Sequence, residues 1–129
     1  MLRMMMALTT LVNVKDCGSS GDIAQYLSGS FEPIPPVANQ NATLSFTYNL
    51  KQDVTDGTAT YSYNINYIPF PDDVFPLCTQ TACPLTIGQH TETSTDLFPS
   101  GVSGRIVNTI RWADQNGDPI LCVQTTMSL

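Results

Sequence analysis

The chain has 129 residues, of which 42% are hydrophobic and 12% are charged, so it has enough apolar content for one folded domain and too little charge for a disordered chain. Its formal net charge is −6, and its five basic residues are scattered along the sequence. This excludes a phosphate-binding surface of the kind that nucleic-acid proteins carry, and it argues against strong electrostatic attachment to anionic membranes at neutral pH.

The N-terminus and one short motif indicate a secretory route. Residues 1–13 contain one basic residue followed by an apolar run of roughly nine residues, which is too short to span a bilayer. We predict a short or truncated secretion signal there, with a flexible N-terminal extension as the alternative, and a domain over residues 14–129. Asn41-Ala42-Thr43 is an N-glycosylation sequon, which fits the same route.

The first half of the domain shows a period of two. Residues 23–32 are predicted as the first strand. Residues 42–50 alternate apolar and polar side chains strictly, and residues 59–67 repeat the pattern. Asp56-Gly57 between them is a hairpin signal, so we predict that these two segments pair as neighbouring antiparallel strands.

The second half continues with short strands. Residues 69–76 contain three prolines, which cannot donate to a strand ladder, so this segment is predicted as an apolar loop. Residues 84–95, 105–113 and 119–127 are predicted strands, and Asn116-Gly117 is a second hairpin signal. No segment carries a helical stripe, so the fold class is all-β, an antiparallel sandwich of two sheets.

Four cysteines allow either disulfides or a metal site. In an oxidising compartment Cys17, Cys78, Cys83 and Cys122 would form two disulfides, and three pairings are possible. A zinc site needs closely spaced ligand pairs, usually twice over. Only Cys78 and Cys83 are close in sequence, and His90 is the single histidine, so disulfides are favoured.

Several motifs occur in an order that resembles a known family. They are Val14-Lys-Asp-Cys17-Gly-Ser19, then Leu77-Cys78 and Cys83-Pro-Leu85 around a short loop, then Ile110-Arg-Trp-Ala-Asp114, and finally Leu121-Cys122. Together they resemble the ML family, the MD-2-related lipid-recognition domains, over about residues 14–127. The likeness is greatest to the Niemann–Pick type C2 branch and to the fungal phosphatidylglycerol/phosphatidylinositol transfer proteins.

The resemblance implies an immunoglobulin-like sandwich with an apolar cavity between its sheets, where a sterol or phospholipid is held. It also implies the pairings Cys17–Cys122 and Cys78–Cys83, and a secreted or endolysosomal location. The Niemann–Pick C2 pattern usually has a third disulfide near the end of the first strand. Residues 31–37 contain no cysteine, and this departure argues against a close relative of that branch.

Large apolar side chains on the predicted strands and in the Pro-rich loop are the candidates for lipid contact, because such cavities are lined by apolar and aromatic groups. They are Phe46, Tyr48, Tyr61, Tyr63, Ile65, Tyr67, Phe70, Phe75, Leu77, Leu97, Phe98, Ile106, Ile110 and Trp112, with Leu44 and Val74 as further candidates. Each could instead pack into an ordinary core. Phe70, Phe75 and Phe98 are the strongest candidates for a pocket mouth, because a loop has no core of its own to fill.

Enzyme chemistry is not predicted. His90 is the only ordinary general base near neutral pH, and no Gly-x-Ser-x-Gly elbow is present. Asp72-Asp73 and Asp114–Asp118 are explained as solvated loop acids and a hairpin turn, so no metal and no cofactor are expected.

The predicted function is lipid binding and transfer by a monomer that contacts membranes transiently. The alternative is an immunoglobulin-like protein-interaction module or receptor partner with no transfer role.

Overall fold

Two antiparallel sheets face each other in the computed structural model, which describes residues 11–129. The strands are β1 (Leu11–Asp16), β2 (Ala24–Glu32), β3 (Asn41–Leu50), β4 (Gly57–Ile65), β5 (Ile68–Pro69), β6 (Asp73–Pro76), β7 (Gly88–Leu97), β8 (Arg105–Asp114) and β9 (Pro119–Ser128), with a 3₁₀ turn at Leu77–Thr79. The larger sheet has the order β1-β9-β8-β4-β5, with β6 also paired to β4, and the smaller sheet has the order β2-β3-β7. The predicted two-sheet antiparallel sandwich is confirmed. Within residues 11–129, no helix has the length and apolar content that a membrane span requires.

The predicted pairing of residues 42–50 with residues 59–67 is wrong. The first segment is β3, which pairs with β2 and β7, whereas the second belongs to β4, which pairs with β8 in the other sheet. The chain crosses between the sheets after Leu50, and Val54 forms an isolated bridge with Leu85. Alternation shows that one face of each strand is buried, but two facing sheets both bury one face, so the pattern does not name a partner.

Four features of the chain differ from the sequence prediction. Residues 69–76 are not a plain loop, because β5 and β6 add short edge pairings to β4. The strand over residues 23–32 is not the first, since β1 precedes it and pairs with β9. Residues 11–13 of the predicted N-terminal extension lie in β1, and residues 1–10 of that prediction lie outside the described residues. The strand predicted from residue 84 begins at Gly88.

The predicted hairpin at Asn116-Gly117 is confirmed between β8 and β9. The Asp114 carboxylate accepts the backbone N–H groups of Asn116 and Asp118, each at 2.9 Å. Gly117 has a φ of 84°, a left-handed value that favours glycine. These local bonds give the Asp114 carboxylate its partners within the turn.

The core is concentrated at one end of the sandwich, where β3 ends and β4 begins. We call this end the packed half, and its fully or nearly fully buried side chains are those of Tyr48, Leu50, Val54, Ala59, Leu77, Leu85, Trp112 and Ile120. The Trp112 ring lies 5.9 Å from the ring centroids of both Phe46 and Tyr48, with edge-on geometry. Such offset and edge-on contacts are the favoured aromatic arrangements, so the rings fill the space between the sheets.

Both disulfide pairings implied by the family resemblance are confirmed. Cys17 and Cys122 have Cα atoms 4.9 Å apart and join the segment after β1 to β9. Cys78 and Cys83 have Cα atoms 5.4 Å apart and close a small loop at the 3₁₀ turn. All four cysteines are therefore used in disulfides.

Candidate functional site

A cavity of about 720 Å³ lies between the sheets at the end opposite the packed half. It is lined by Phe31, Ala42, Leu44, Tyr61, Tyr63, Ile65, Phe70, Ser94, Asp96, Leu97, Phe98, Pro99, Val102, Ile106, Asn108, Ile110 and Met127. A volume of this size falls in the range of small-molecule sites, and the lining is mostly apolar. The apolar inter-sheet cavity expected from the resemblance is therefore present.

The cavity exists because the inward-facing side chains differ between the two ends of the sandwich. In the packed half, Phe46 and Tyr48 of β3 project large rings toward Trp112. Toward the other end, the cavity-lining residues of β3 and β7 include the short side chains of Ala42 and Ser94. Small side chains cannot bridge the roughly 10 Å between two facing sheets, so the space stays open.

Eight of the fourteen residues predicted for lipid contact line the cavity, as does the further candidate Leu44. The eight are Tyr61, Tyr63, Ile65, Phe70, Leu97, Phe98, Ile106 and Ile110. They come from β4, from β8, from the position after β5, and from the last residue of β7 and the residue that follows it. Their contact with a lipid stays a proposal, which we develop below.

Four of the predicted residues lie in or beside the packed half and not in the cavity wall. Tyr48 and Leu77 have no exposed surface, and Phe46 and Trp112 are 4% and 3% exposed. Phe46, Tyr48 and Trp112 face inward, but the rings at this end meet one another instead of a cavity. Position along the strand, which alternation does not encode, separates them from the lining residues.

Two further predicted residues lie outside the cavity. Phe75 is on edge strand β6, where its ring packs edge-on against Tyr61 with centroids 5.7 Å apart. Tyr67 is 74% exposed, because β4 ends at Ile65 and a turn with positive φ at Tyr67 interrupts the alternation. The Arg105 guanidinium lies 4.7 Å from the Tyr67 ring centroid, on the outside of the sheet. Val74, also on β6, is exposed as well.

Sequence reasoning missed the remaining lining residues. These are Phe31, Ala42, Ser94, Asp96, Pro99, Val102, Asn108 and Met127. Ala42 and Asn108 share the alternating set of their strands, so the period of two could have found them. Ser94 and Asp96 are polar side chains on a strand of mixed polarity and gave no such signal.

The polar groups of the cavity are neutral or negative. Burial raises the pKa of the Tyr61 and Tyr63 hydroxyls, and neighbouring negative charges raise both pKa values further, with Asp96 acting on both tyrosines and Asp73 on Tyr63. Tyr61 Oη also donates a hydrogen bond of 2.8 Å to Gln80 Oε1. Among the described residues that line the cavity, none is Lys, Arg or His.

Beside the cavity, Glu92 anchors Tyr48 at the edge of the packed half. Tyr48 Oη donates to Glu92 Oε2 at 3.2 Å, and Thr81 Oγ1 donates to the same oxygen at 2.8 Å. Burial raises the pKa of Tyr48 far above its ordinary value of 10.0, and the negative charge and hydrogen bond of Glu92 raise it further. The Tyr48 hydroxyl therefore stays protonated in the folded state at any ordinary pH.

We expect the free energy of unfolding to fall above pH 10. The unfolded tyrosine loses its proton near pH 10 while the folded one keeps it, so high pH favours the unfolded state. For Tyr48 the loss approaches about 1.4 kcal/mol per pH unit above 10, and it is absent below that pH. Urea unfolding of the wild type and Tyr48→Phe at pH 8 and pH 11 measures this loss. An equal fall in the free energy of unfolding of both proteins would contradict its assignment to the Tyr48 hydroxyl.

The residues considered for catalysis lie away from the cavity wall. His90 Nε2 lies 2.6 Å from the Thr86 carbonyl oxygen, which can only accept, so Nε2 carries a proton. The His90 ring stacks on Tyr48 with centroids 5.5 Å apart. Within the part of the chain that the structure describes, no group of three or more His, Cys, Asp or Glu side chains is placed to hold a metal ion.

Comparison with known sequences shows the family. A sequence model of the ML domain matches residues 11–129. A protein of Dictyostelium discoideum that is named after phosphatidylglycerol/phosphatidylinositol transfer proteins is 26% identical over 118 residues, covering 88% of this chain and 84% of that protein. A phosphatidylglycerol/phosphatidylinositol transfer protein from Mycosarcoma maydis is 27% identical over 120 residues, covering 86% of this chain but only 62% of its own length.

Solved structures share the fold. A Niemann-Pick type C2 protein from the Japanese carpenter ant superposes with a TM-score of 0.66 at 15% identity, covering 88% of this chain and 96% of its own. Chicken MD-1, solved in complex with lipid IVa, gives a TM-score of 0.70 at 14% identity, covering 93% of this chain and 90% of its own. Because the family model spans every described residue and the sandwich is the one these structures share, the chain belongs to the ML domain family.

Proposed function

We propose that this chain binds a lipid in its inter-sheet cavity and transfers it between membranes. The observation that carries the proposal is the cavity itself, about 720 Å³ of mostly apolar space where a sandwich of this size would ordinarily have packed core. The names of the sequence relatives, phosphatidylglycerol/phosphatidylinositol transfer proteins, support the same function.

The lining supplies enough driving force without a charged anchor. Each methylene that leaves water contributes about 0.8 kcal/mol, so a dozen buried methylenes contribute on the order of 10 kcal/mol before the costs of association. The rings of Tyr61, Tyr63 and Phe98 offer wide, rigid contact to hydrocarbon at low entropic cost. The mechanism is exchange of an apolar ligand, and we propose no covalent chemistry.

The mouth of the cavity carries exposed apolar side chains that suit membrane contact. Phe70 and Leu97 line the cavity and are 47% and 63% exposed. Ile68 on β5 lies opposite the cavity-lining Ile65 of β4 and extends the exposed apolar surface along the edge of the larger sheet. We call Phe70, Leu97 and Ile68 the apolar rim, and we propose that it contacts the bilayer transiently during exchange.

Native mass spectrometry of the protein secreted from a eukaryotic host tests the function. We expect a stoichiometric bound lipid that organic extraction then identifies. A clean apo mass, with no uptake from phospholipid or sterol vesicles at neutral and acidic pH, would remove the proposal. It would leave the alternative of a protein-interaction module or receptor partner, for which the apolar rim would be the contact surface.

A matched pair of isoleucines tests the apolar rim. Ile68 and Ile87 are 62% and 64% exposed, but Ile68 lies opposite the cavity-lining Ile65 and Ile87 precedes β7 at the packed half. We expect Ile68→Ser to slow lipid transfer between vesicles about fivefold, since losing roughly 1 kcal/mol of apolar membrane contact has that effect. Ile87→Ser should transfer at the wild-type rate. Equal rates for the two variants would contradict membrane contact at the rim.

The disulfides and the position of Asn41 support a secretory or endolysosomal location. Disulfides persist in oxidising compartments, and both pairs are formed here. Asn41 is exposed at the start of β3, where a glycan would be accommodated on the surface. We propose that the protein acts as a glycosylated monomer in the lumen of the secretory or endolysosomal system. A mass shift on treatment with an N-glycosidase checks the sequon.

A further inference from the structure

Asp96 brings a negative charge to an otherwise neutral cavity wall. It lies on β7 opposite Ala42, two residues beyond Ser94, and all three line the cavity. The threonines at alternate positions of β7 face the other way. There the hydroxyls of Thr91 and Thr95 form hydrogen bonds with threonine hydroxyls of β3 at 2.9 and 3.0 Å. The carboxylate is therefore on the cavity side of its strand, at the exposed end near the mouth.

No cation in the cavity wall offsets this charge. The lining residues that the structure describes include no Lys, Arg or His. Arg105 begins β8 at the same end of the sandwich, but its guanidinium lies over the Tyr67 ring on the outer side of the sheet. The remaining charges that act on the cavity tyrosines are also negative, from Glu92 and Asp73.

The other polar groups of the wall are uncharged hydrogen-bonding groups. Tyr61 and Tyr63 bring hydroxyls, and Asn108 brings a side-chain amide. The Asn108 Oδ1 atom is buried and has no hydrogen-bond partner within the described chain. A buried acceptor without a partner favours a ligand that carries a donor, such as a hydroxyl or ammonium group, and this holds whatever the net charge of the polar end.

We infer that Asp96 is a specificity-determining residue of the cavity, and that it selects lipids whose polar end has no net negative charge. The inference rests on the proposed lipid-binding function and deepens it. Phosphatidylglycerol and phosphatidylinositol, which appear in the names of the sequence relatives, both carry a net negative head group. A phosphate held a few ångströms from a carboxylate is repelled, by about fivefold in affinity at a partly solvated position.

A competition between two phospholipids with identical acyl chains tests the inference. Wild-type protein is incubated with vesicles of equimolar phosphatidylethanolamine and phosphatidylglycerol, whose head groups both carry hydrogen-bond donors but differ in net charge, and native mass spectrometry counts each bound lipid. Because both lipids share one vesicle surface and one pair of chains, membrane encounter and apolar burial cancel from the ratio. We expect phosphatidylethanolamine to be bound about fivefold in excess.

Two charge reversals separate a local effect from net charge. Asp96→Lys should bring the ratio of bound neutral lipid to bound phosphatidylglycerol to one or below. Asp118→Lys, an equal change of charge in the exposed β8–β9 turn, should keep the wild-type preference. An equal or greater share of phosphatidylglycerol on the wild type, or equal shifts in both variants, would overturn the inference while leaving lipid binding in place. Failure to bind either phospholipid would overturn the inference, and failure to take up sterol as well would overturn the proposed function.

Discussion

Filling the cavity from Ala42 should abolish lipid binding and leave the protein folded. Ala42 lines the cavity from β3, and its side chain is nearly fully buried. In Ala42→Trp an indole would occupy space that a lipid needs, so we expect bound lipid to fall at least about tenfold. The cavity accommodates the ring, so the free energy of unfolding should change by less than about 1 kcal/mol. Lipid counting by native mass spectrometry and urea unfolding measure the two quantities.

The matched control is the same substitution in the packed half. Ala59 has no exposed surface, and in the strand register it lies opposite Trp112 on β8. Ala59→Trp has no free volume to enter, so it should destabilise the protein by about 1–3 kcal/mol or more through overpacking. The fraction that remains folded should still bind lipid. If Ala42→Trp instead destabilised as much as Ala59→Trp, or bound lipid normally, the cavity would not be the binding site.

Removing the Cys17–Cys122 disulfide should have the largest effect on stability. The bond joins residues 105 positions apart, and in the chain-entropy model a loop of that length stabilises by roughly 4–5 kcal/mol. It also holds the end of β1 against β9, where the Cys17 N–H donates to the Cys122 carbonyl at 3.0 Å. For a Cys17→Ala/Cys122→Ala variant we expect this loss in urea unfolding at pH 7.

The Cys78–Cys83 disulfide provides the internal comparison. It spans only five positions, so the same model assigns it about 2 kcal/mol. A Cys78→Ala/Cys83→Ala variant should therefore unfold at a urea concentration between those of the wild type and the Cys17→Ala/Cys122→Ala variant. The reverse order of stabilities would show that native-state packing around the small loop outweighs the entropy of the unfolded chain.

Much of the architecture could be predicted because it depends on local chemistry. A period of two in β3 and β4 follows from strands that bury one face, and it predicted an all-β sandwich. The Asn116-Gly117 turn was recognisable because a tight hairpin needs residues that tolerate a positive φ. The resemblance of the motifs added the disulfide pairing, which residue spacing alone left open among three possibilities.

Strand pairing could not be predicted from the same pattern. The Asp56-Gly57 signal suggested a hairpin, yet β3 and β4 lie in opposite sheets because the segment between them crosses the sandwich. Both arrangements bury the same alternating side chains, so hydrophobic patterning does not distinguish them. The long-range pairing of β4 with β8 decides the matter, and such pairings depend on the whole chain.

By itself, the sequence determined which side chains of β3, β4 and β8 face inward and that the interior is apolar. Only the tertiary structure decided which of those side chains meet a cavity. Tyr48 and Trp112 pack against each other at one end, while Tyr63 and Ile106 face open space at the other. The physical reason is that alternation reports a side chain's face, whereas the gap it meets depends on the size of the side chains across the interior. That pairing of opposite residues arises only when the two sheets pack together.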